Sequence, residues 1–363
     1  MAPNAVTVSF RLGGDDGVSV EARKWSHALE QLGFTTRRVA GVLEDGPATD
    51  DVEIAELALD ATAPVDPAAL AAALAGADLV IVDNICSLPL NVDAARAVAA
   101  VVAGHPGKIV LRHHDLPWQR RNLEALEREF PPRIAGALHA TINLRSRREL
   151  EARGYESVTT IHNYFDLDPP PGDRAGTRAQ FGFGDDDFVL LQPARAIVRK
   201  NVPGGFRFAQ RFQQLAPDRR VRYWLSGPAE DGYGPTLERI LERAPVPITL
   251  GRAARAVDAY AATDLVVFPS TWEGFGNPVI ESIACRRACV AYPYPVLAEI
   301  VAAGVRVFTT ERPEPLVRFL AEPAAVREQY FETNVHRARL SFALDELPDA
   351  LDKAFTTAGW TPW

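Results

Sequence analysis

Glu273 and Glu281 lie eight positions apart in the segment FPSTWEGFGNPVIE, residues 268–281. An apolar run ends at Phe268. Asn277 followed by Pro278 reads as a helix cap with proline at the first helical position. A helix start offers N–H groups and about half a positive charge, a ready seat for an anion. Gly274 and Gly276 let a ligand approach the backbone closely. Two carboxylates beside a phosphate would repel it. They make sense if they accept hydrogen bonds from sugar hydroxyls, because an ionised carboxylate is an acceptor-only group. A capped surface helix with solvated glutamates is the plainer alternative.

The segment LLQPARAIVRKNVPGG, residues 190–205, places Arg195 and Lys200 in a loop between an apolar run and a helical pattern. Two cations there suit a pyrophosphate, arginine as a fork and lysine as a point charge. Lysine is scarce in this chain, occurring only as Lys24, Lys108, Lys200 and Lys353. A basic surface loop is the plainer alternative. His113-His114-Asp115 closes another apolar run, with either histidine a candidate. Trp118, Arg120 and Arg121 follow. They would suit a polar acceptor bearing a carboxylate or phosphate, or they simply begin a basic helix.

Other patterns carry no chemistry. Asp166 and Asp168 have Asp-x-Asp spacing but fall in a proline-rich linker. Cys285 and Cys289 lack the further Cys or His partners that zinc needs. Gly182 and Gly184 lack the third glycine and helix of a dinucleotide fingerprint. No G-x-S-x-G nucleophile elbow is present.

These residues need a scaffold, and the rest of the sequence supplies one. Strands are expected at 5–12, 34–39, 79–82, 109–111, 138–142 and 158–161, with helices at 18–32, 68–74, 93–102 and 145–153. The segment 162–172, HNYFDLDPPPG, breaks this rhythm as a domain boundary does. Strands at 188–192, 221–225, 248–250, 265–269 and 288–291 then alternate with helices at 204–215, 236–242, 257–262 and 278–284. A last amphipathic helix is expected over 342–355. Such alternation argues for two α/β domains, each a parallel sheet covered on both faces. Ligands in such sheets sit beyond the carboxyl ends of the strands.

Composition narrows the class. The 363 residues carry 39 basic and 47 acidic side chains, net −8, so general nucleic-acid binding is not expected. Hydrophobic residues make up 47% and charged residues 24%, which excludes disorder. The stretch 68–82 is broken by Asp78 and is shorter than the ~20 residues of a membrane span. The start MAPNAVTVSFRL has no basic region before an apolar core, so no signal peptide is expected. Three cysteines fit a reducing cytoplasm rather than a disulfide framework.

Taken together, the chain resembles the retaining, GT-B-fold glycosyltransferases of glycosyltransferase family four. The resemblance rests on Glu273, seven residues, then Glu281 within STWEGFGNPVIES. It rests also on Arg195 followed five positions later by Lys200, on the Gly13-Gly14 loop, and on the Ser226-Gly227-Pro228 turn. It implies two Rossmann-like domains facing across a cleft. The N-terminal, acceptor-side domain spans 1–164, with a C-terminal helix at 343–363 crossing back onto it. The nucleotide-sugar domain spans 165–342. By the same resemblance, Arg195 and Lys200 hold the donor diphosphate, Glu281 the ribose and Glu273 a hydroxyl of the transferred sugar. The backbone of Gly274, Phe275, Gly276 and Asn277 contacts the donor. His114, favoured over His113, touches donor sugar or acceptor. Gly13, Gly14 and Gly17 shape the wall against the phosphates, although Asp15 and Asp16 interrupt that loop.

The expected activity is hexosyl transfer from a UDP- or GDP-sugar to the hydroxyl of a small polar acceptor. Retention by a front-face route is expected, with no metal and no cofactor beyond the donor. A sugar-nucleotide epimerase or hydrolase of the same fold, or a catalytically silent sugar-nucleotide binder, are the alternatives.

Overall fold

The computed structural model describes residues 2–120 and 122–360. Short apolar runs form strands buried on both faces, as a parallel sheet covered by helices requires. Seven belong to the first sheet: β1 (Asn4–Leu12), β2 (Thr35–Leu43), β3 (Val52–Glu53), β4 (Leu79–Asp83), β5 (Lys108–His113), β6 (Leu138–Thr141) and β7 (Val158–Thr160). They pair in the order β3-β2-β1-β4-β5-β6-β7, all parallel. The connecting helices are α1 (Gly17–Gln31), α2 (Pro67–Leu74), α3 (Val92–Ala103) and α4 (Leu144–Ala152). Each begins at a polar side chain that accepts from its first-turn N–H groups: Asp16, Asp66, Asn91 and Asn143.

The second sheet contains β8 (Asp187–Gln192), β9 (Arg220–Leu225), β10 (Ile248–Leu250), β11 (Leu265–Phe268), β12 (Ala288–Ala291) and β13 (Phe308–Thr309). Its order is β10-β9-β8-β11-β12-β13, again all parallel. Its helices are α5 (Arg174–Gln180), α6 (Val202–Leu215), α7 (Gly234–Leu241), α8 (Ala256–Ala262), α9 (Asn277–Ala284), α10 (Leu297–Ala302), α11 (Glu314–Ala321) and α12 (Ala324–Phe342). The chain ends with α13 (Leu347–Thr357). One compact unit comprises Met1–Tyr164 with Leu344–Trp363, the other Phe165–Ala343.

The tail differs from the single helix expected over 342–355. Phe342 ends α12, Ala343 is extended, and α13 starts at Leu347 with Pro348 in its first turn. Proline lacks the N–H a helix interior needs, so one continuous helix could not pass through it. Phe165 N–H donates to the Phe342 carbonyl at 2.8 Å. In the first unit, α13 buries Leu347, Leu351 and Phe355 with Trp25, Ala28 and Leu29 of α1. The expected crossing helix is therefore only this last segment. Residues 361–363 of the span 343–363 lie outside the described residues. Among the described residues, no helix is long and apolar enough to cross a membrane.

Candidate active site

In the second sheet, β8 and β11 are neighbours, but the chain leaves β8 for β9 on one side and β11 for β12 on the other. That is a topological switch point, where the loops after two adjacent strands diverge and leave a crevice. The loops are 193–201 and 269–276. Lys200 Nζ donates to Glu273 Oε1 at 2.6 Å, and Arg199 Nη1 donates to Glu273 Oε2 at 2.9 Å. Arg199 Nη1 also reaches the Trp272 carbonyl at 3.2 Å. The backbones are tied as well: Thr271 N–H donates to the Arg199 carbonyl at 2.9 Å, and Asn201 Nδ2 to the Pro269 carbonyl at 3.1 Å. Asn201 adopts left-handed φ 49° and caps α6 through Gly204 N–H.

Glu273 is only 7% exposed. Burial favours its neutral form, but Lys200 and Arg199 outweigh it and hold the carboxyl below its usual range. Burial lowers the Lys200 ammonium, against the pull of Glu273 and with the help of Arg199 and Arg195. Lys200 therefore sits in a dry, cation-rich setting, where a diphosphate would be a favourable additional partner.

The other expected residues have separate partners. Arg195 Nη1 pairs with Glu230 Oε2 at 2.6 Å, both about two-fifths exposed. Glu281 Oε2 accepts from the Tyr260 hydroxyl at 2.5 Å. Burial and the Glu281 charge push that phenol well above its ordinary range, so it stays a donor and orients the carboxylate.

The helix start differs from expectation. The cap of α9 is Gly276, not Asn277, and it offers no side-chain cap. Gly276 has φ 122°, and a Cβ there would lie 1.9 Å from the Tyr294 hydroxyl, which itself donates to the Phe275 carbonyl at 2.9 Å. The Phe275 ring packs against Phe165 and Phe342, with centroids 6.1 and 5.5 Å away. Any contact of Phe275 with a donor thus falls to its backbone.

The first sheet has its own switch point, between β1 and β4. After β1, the Asp16 carboxylate accepts from Val18 N–H and Ser19 N–H at 3.0 and 3.3 Å. A Cβ on Gly13 would lie 2.0 Å from Asp45 Oδ1, and one on Gly14 2.4 Å from Glu44 Oε2. The start of α1 is thus already occupied by a carboxylate and bordered by two more. Arg11 lies 3.4 Å from Asp16 and 3.8 Å from Glu44, and Arg38 pairs with Asp45 at 2.8 Å, so a phosphate at Gly13, Gly14 and Gly17 would have to compete with the Asp16 cap in a corner of paired charges. After β4 and β5, Asp83 accepts from Arg112 at 3.1 Å and lies 2.9 Å from His114 Nε2. Arg112 reaches Glu21 at 3.5 Å, and Glu21 pairs with Lys24 at 2.6 Å. Burial would raise the Asp83 carboxyl, but Arg112 and His114 hold it low. An ionised carboxylate only accepts, so the His114 Nε2 carries a proton toward Asp83.

His113 Nε2 lies 3.0 Å from His139 Nδ1, both rings buried. Of the two histidines, His113 therefore belongs to the core. Trp118 Nε1 donates to Glu149 at 2.8 Å beneath the Arg153 guanidinium, and Arg120 pairs with Asp115. These pairings occupy both side chains, but residues 117–119 form one 3-10 turn with Arg120 extended after it, not the start of a basic helix, and Arg121 lies outside the described residues. Asp168 pairs with Arg339 at 3.0 Å. Asp185 and Asp187 share the Asp-x-Asp spacing, but Asp187 opens β8, at its amino end. Among the described residues, no three His, Cys, Asp or Glu side chains group as a metal site.

Arg199, Glu230, Tyr260, Tyr294 and Asp83 are functional neighbours the sequence reading missed. Arg199 and Asp83 had a signal. Arg199 adjoins Lys200, and Asp83 is a charge ending a buried run of four apolar residues.

Residues 190–322, the body of this second unit, match the family described as Glycosyl transferases group 1. The second unit thus contains a group 1 glycosyltransferase domain. Across 426 aligned positions it is 24% identical to the mannosylglucosylglycerate synthase of Thermotoga maritima, covering 95% of this chain and 98% of that one. The glycosyltransferase of Rickettsia africae superposes with TM-score 0.75 at 13% identity, over 99% of this chain and 100% of that one. The Anabaena protein HepE, solved with UDP and glucose, gives TM-score 0.73 at 17% identity, over 98% and 100%. The two parallel-sheet units of this glycosyltransferase are those of the GT-B fold.

Proposed function

We propose that this glycosyltransferase moves a hexosyl unit from a nucleoside diphosphate sugar to an acceptor hydroxyl, with retention and without a metal. The observation that carries this reading is the Lys200–Glu273–Arg199 cluster at the switch point of the second sheet. Lys200 and Arg195 hold the diphosphate, and their charge stabilises it as it departs. Glu273 accepts from a hydroxyl of the transferred sugar, and Glu281, oriented by Tyr260, from the ribose. The backbone of Gly274, Phe275, Gly276 and Asn277 meets the donor at the start of α9. His114 is the residue of the first unit assigned to touch the donor sugar or acceptor.

Glu273 is gripped by two cations and weakly basic, so it is a poor nucleophile. The front-face route fits better. The bond from the anomeric carbon to the phosphate oxygen breaks as the bond to the acceptor oxygen forms on the same face. The acceptor proton passes to the departing phosphate oxygen. Side-chain cations take the place that a divalent ion would otherwise fill.

The UDP and glucose bound by HepE favour a UDP-sugar. The synthase relative makes a product whose name includes a glycerate, which favours a small acceptor carrying a carboxylate. The thiols of Cys86, Cys285 and Cys289 are all free, which suits a reducing cytoplasm. Incubation with UDP- and GDP-hexoses, with and without hydroxy-acid and glycoside acceptors, tests the reading by mass spectrometry and NMR of the product linkage. An α-linked product from an α-linked donor in the presence of EDTA is expected. An inverted linkage, or activity restored only by manganese or magnesium, contradicts the reading.

A further inference from the structure

The two cations on Glu273 are not equivalent. Lys200 touches only one oxygen of the carboxylate through its ammonium and is the group proposed to bind the diphosphate. Arg199 meets the other oxygen and is tied to the Glu273 loop by further bonds. The same Nη1 bonds Glu273 Oε2 and the Trp272 carbonyl, while its own carbonyl accepts from Thr271 N–H and, at 3.3 Å, from Thr271 Oγ1. Arg199 thus bridges the loops after β8 and β11 through both side chain and backbone.

We propose that Arg199 is the permanent counter-ion of Glu273, leaving Lys200 free to exchange from Glu273 to the donor diphosphate. The inference rests on the donor-site reading above. Its logic is electrostatic. If Lys200 were the sole partner, its transfer to the diphosphate would strand a buried carboxylate, which then takes up a proton. A protonated Glu273 can still meet a sugar hydroxyl, but it loses the charge that orients that hydroxyl and faces a developing positive anomeric centre. With Arg199 in place, the carboxylate stays ionised through the exchange. Among the described residues, the Tyr294 phenol, from the turn after β12, also feels the Glu273 charge. Burial and the Glu273 charge raise it well above its ordinary range, so it stays neutral. Arg199 is therefore a positioning residue, acting through Glu273.

The test is the pH profile of kcat and kcat/KM for the full chain with Arg199→Gln and Arg199→Lys, beside Lys200→Ala. In Arg199→Gln the acid limb of kcat is expected to move up by about 1 unit or more, as loss of a close opposite charge predicts. Below that limb kcat falls on the order of tenfold, with KM for the donor little changed. Arg199→Lys keeps a cation and the wild-type limb. An Arg199→Gln enzyme with the wild-type limb, or an Arg199→Lys enzyme with a raised one, overturns the counter-ion role. If Arg199→Gln does not fold, judged by its melting curve, the Arg199→Lys limb decides alone. Lys200→Ala separates the two layers. Near wild-type kcat/KM there removes the donor-site reading itself, whereas a crippled Lys200→Ala beside an unmoved Arg199→Gln limb removes only the counter-ion.

Discussion

The two switch points of this glycosyltransferase share one topology and differ in how their helix starts are capped. At β1 and β4 the first helix start is filled by Asp16, and Glu44 and Asp45 stand beside it. The charges beyond, Asp83, Arg112, Glu21 and Lys24, pair with one another. At β8 and β11 the helix start at Gly276 has no side-chain cap, and Lys200 and Arg199 grip one buried carboxylate. Both loops are glycine-containing turns from strand to helix. What separates an open helix start from a closed structural corner is which side chain reaches the first N–H groups.

The comparison breaks most directly at Lys200. Lys200→Ala is expected to lower kcat/KM about 10²–10³-fold, the loss typical of one stabilising group at a developing charge. A steady-state assay with a saturating acceptor measures it. Gly276→Ala strikes the same corner through the backbone. The left-handed φ and the contact with the Tyr294 hydroxyl should cost about 2 kcal/mol. Melting temperature should then fall by roughly 4–8 °C in calorimetry.

The first unit should respond instead to pH. Burial lowers His113 well below its usual value, with the charges of His139 and His114 adding to this, and lowers His139 to about 4, with Arg133 adding to this. Their folded values lie below the unfolded one, so unfolding takes up protons. Stability is full above about pH 6.5 and is lost as pH falls toward about 4. The urea midpoint should decline from pH 7 to pH 5, and His139→Gln should make the decline shallower. The smallest effect belongs to Asp16→Ala, which removes a helix cap at a cost of about 1 kcal/mol. It should leave kcat/KM for the donor unchanged in the same assay.

Much of this scaffold is legible in the sequence, and the limits have physical causes. The buried strands at β4, β8, β11 and β12 are continuous apolar runs between turn residues, so their positions show locally. The two-residue β3 and β13 carry too few residues for any periodicity to show. The stretch 297–342 holds three helices not expected from the sequence; of these, α12 has no clear apolar face to reveal it, while α10 is only six residues long. In the site, the loops containing Lys200 and Glu273 are marked by Gly, Pro and Asn. That these loops meet depends on β8 lying next to β11, a non-local fact. The partners of Arg195 and Glu281, namely Glu230 and Tyr260, come from β9's loop and α8, and no spacing rule links them. Asp16 shows the opposite case. Its place before a helical run reads as a cap, and the structure has it accepting from the Val18 and Ser19 N–H groups.

The central claim is that the donor diphosphate is held by the second sheet's switch point and not by the first. Calorimetric titration of UDP into the full-length wild type, Lys200→Ala and Asp16→Ala tests it most directly. Loss of a hydrogen bond to a charged group, about 1.5–3 kcal/mol, should weaken UDP binding by Lys200→Ala roughly tenfold or more, while Asp16→Ala binds as the wild type does. Undiminished UDP affinity in Lys200→Ala, with a changed affinity in Asp16→Ala, would contradict it.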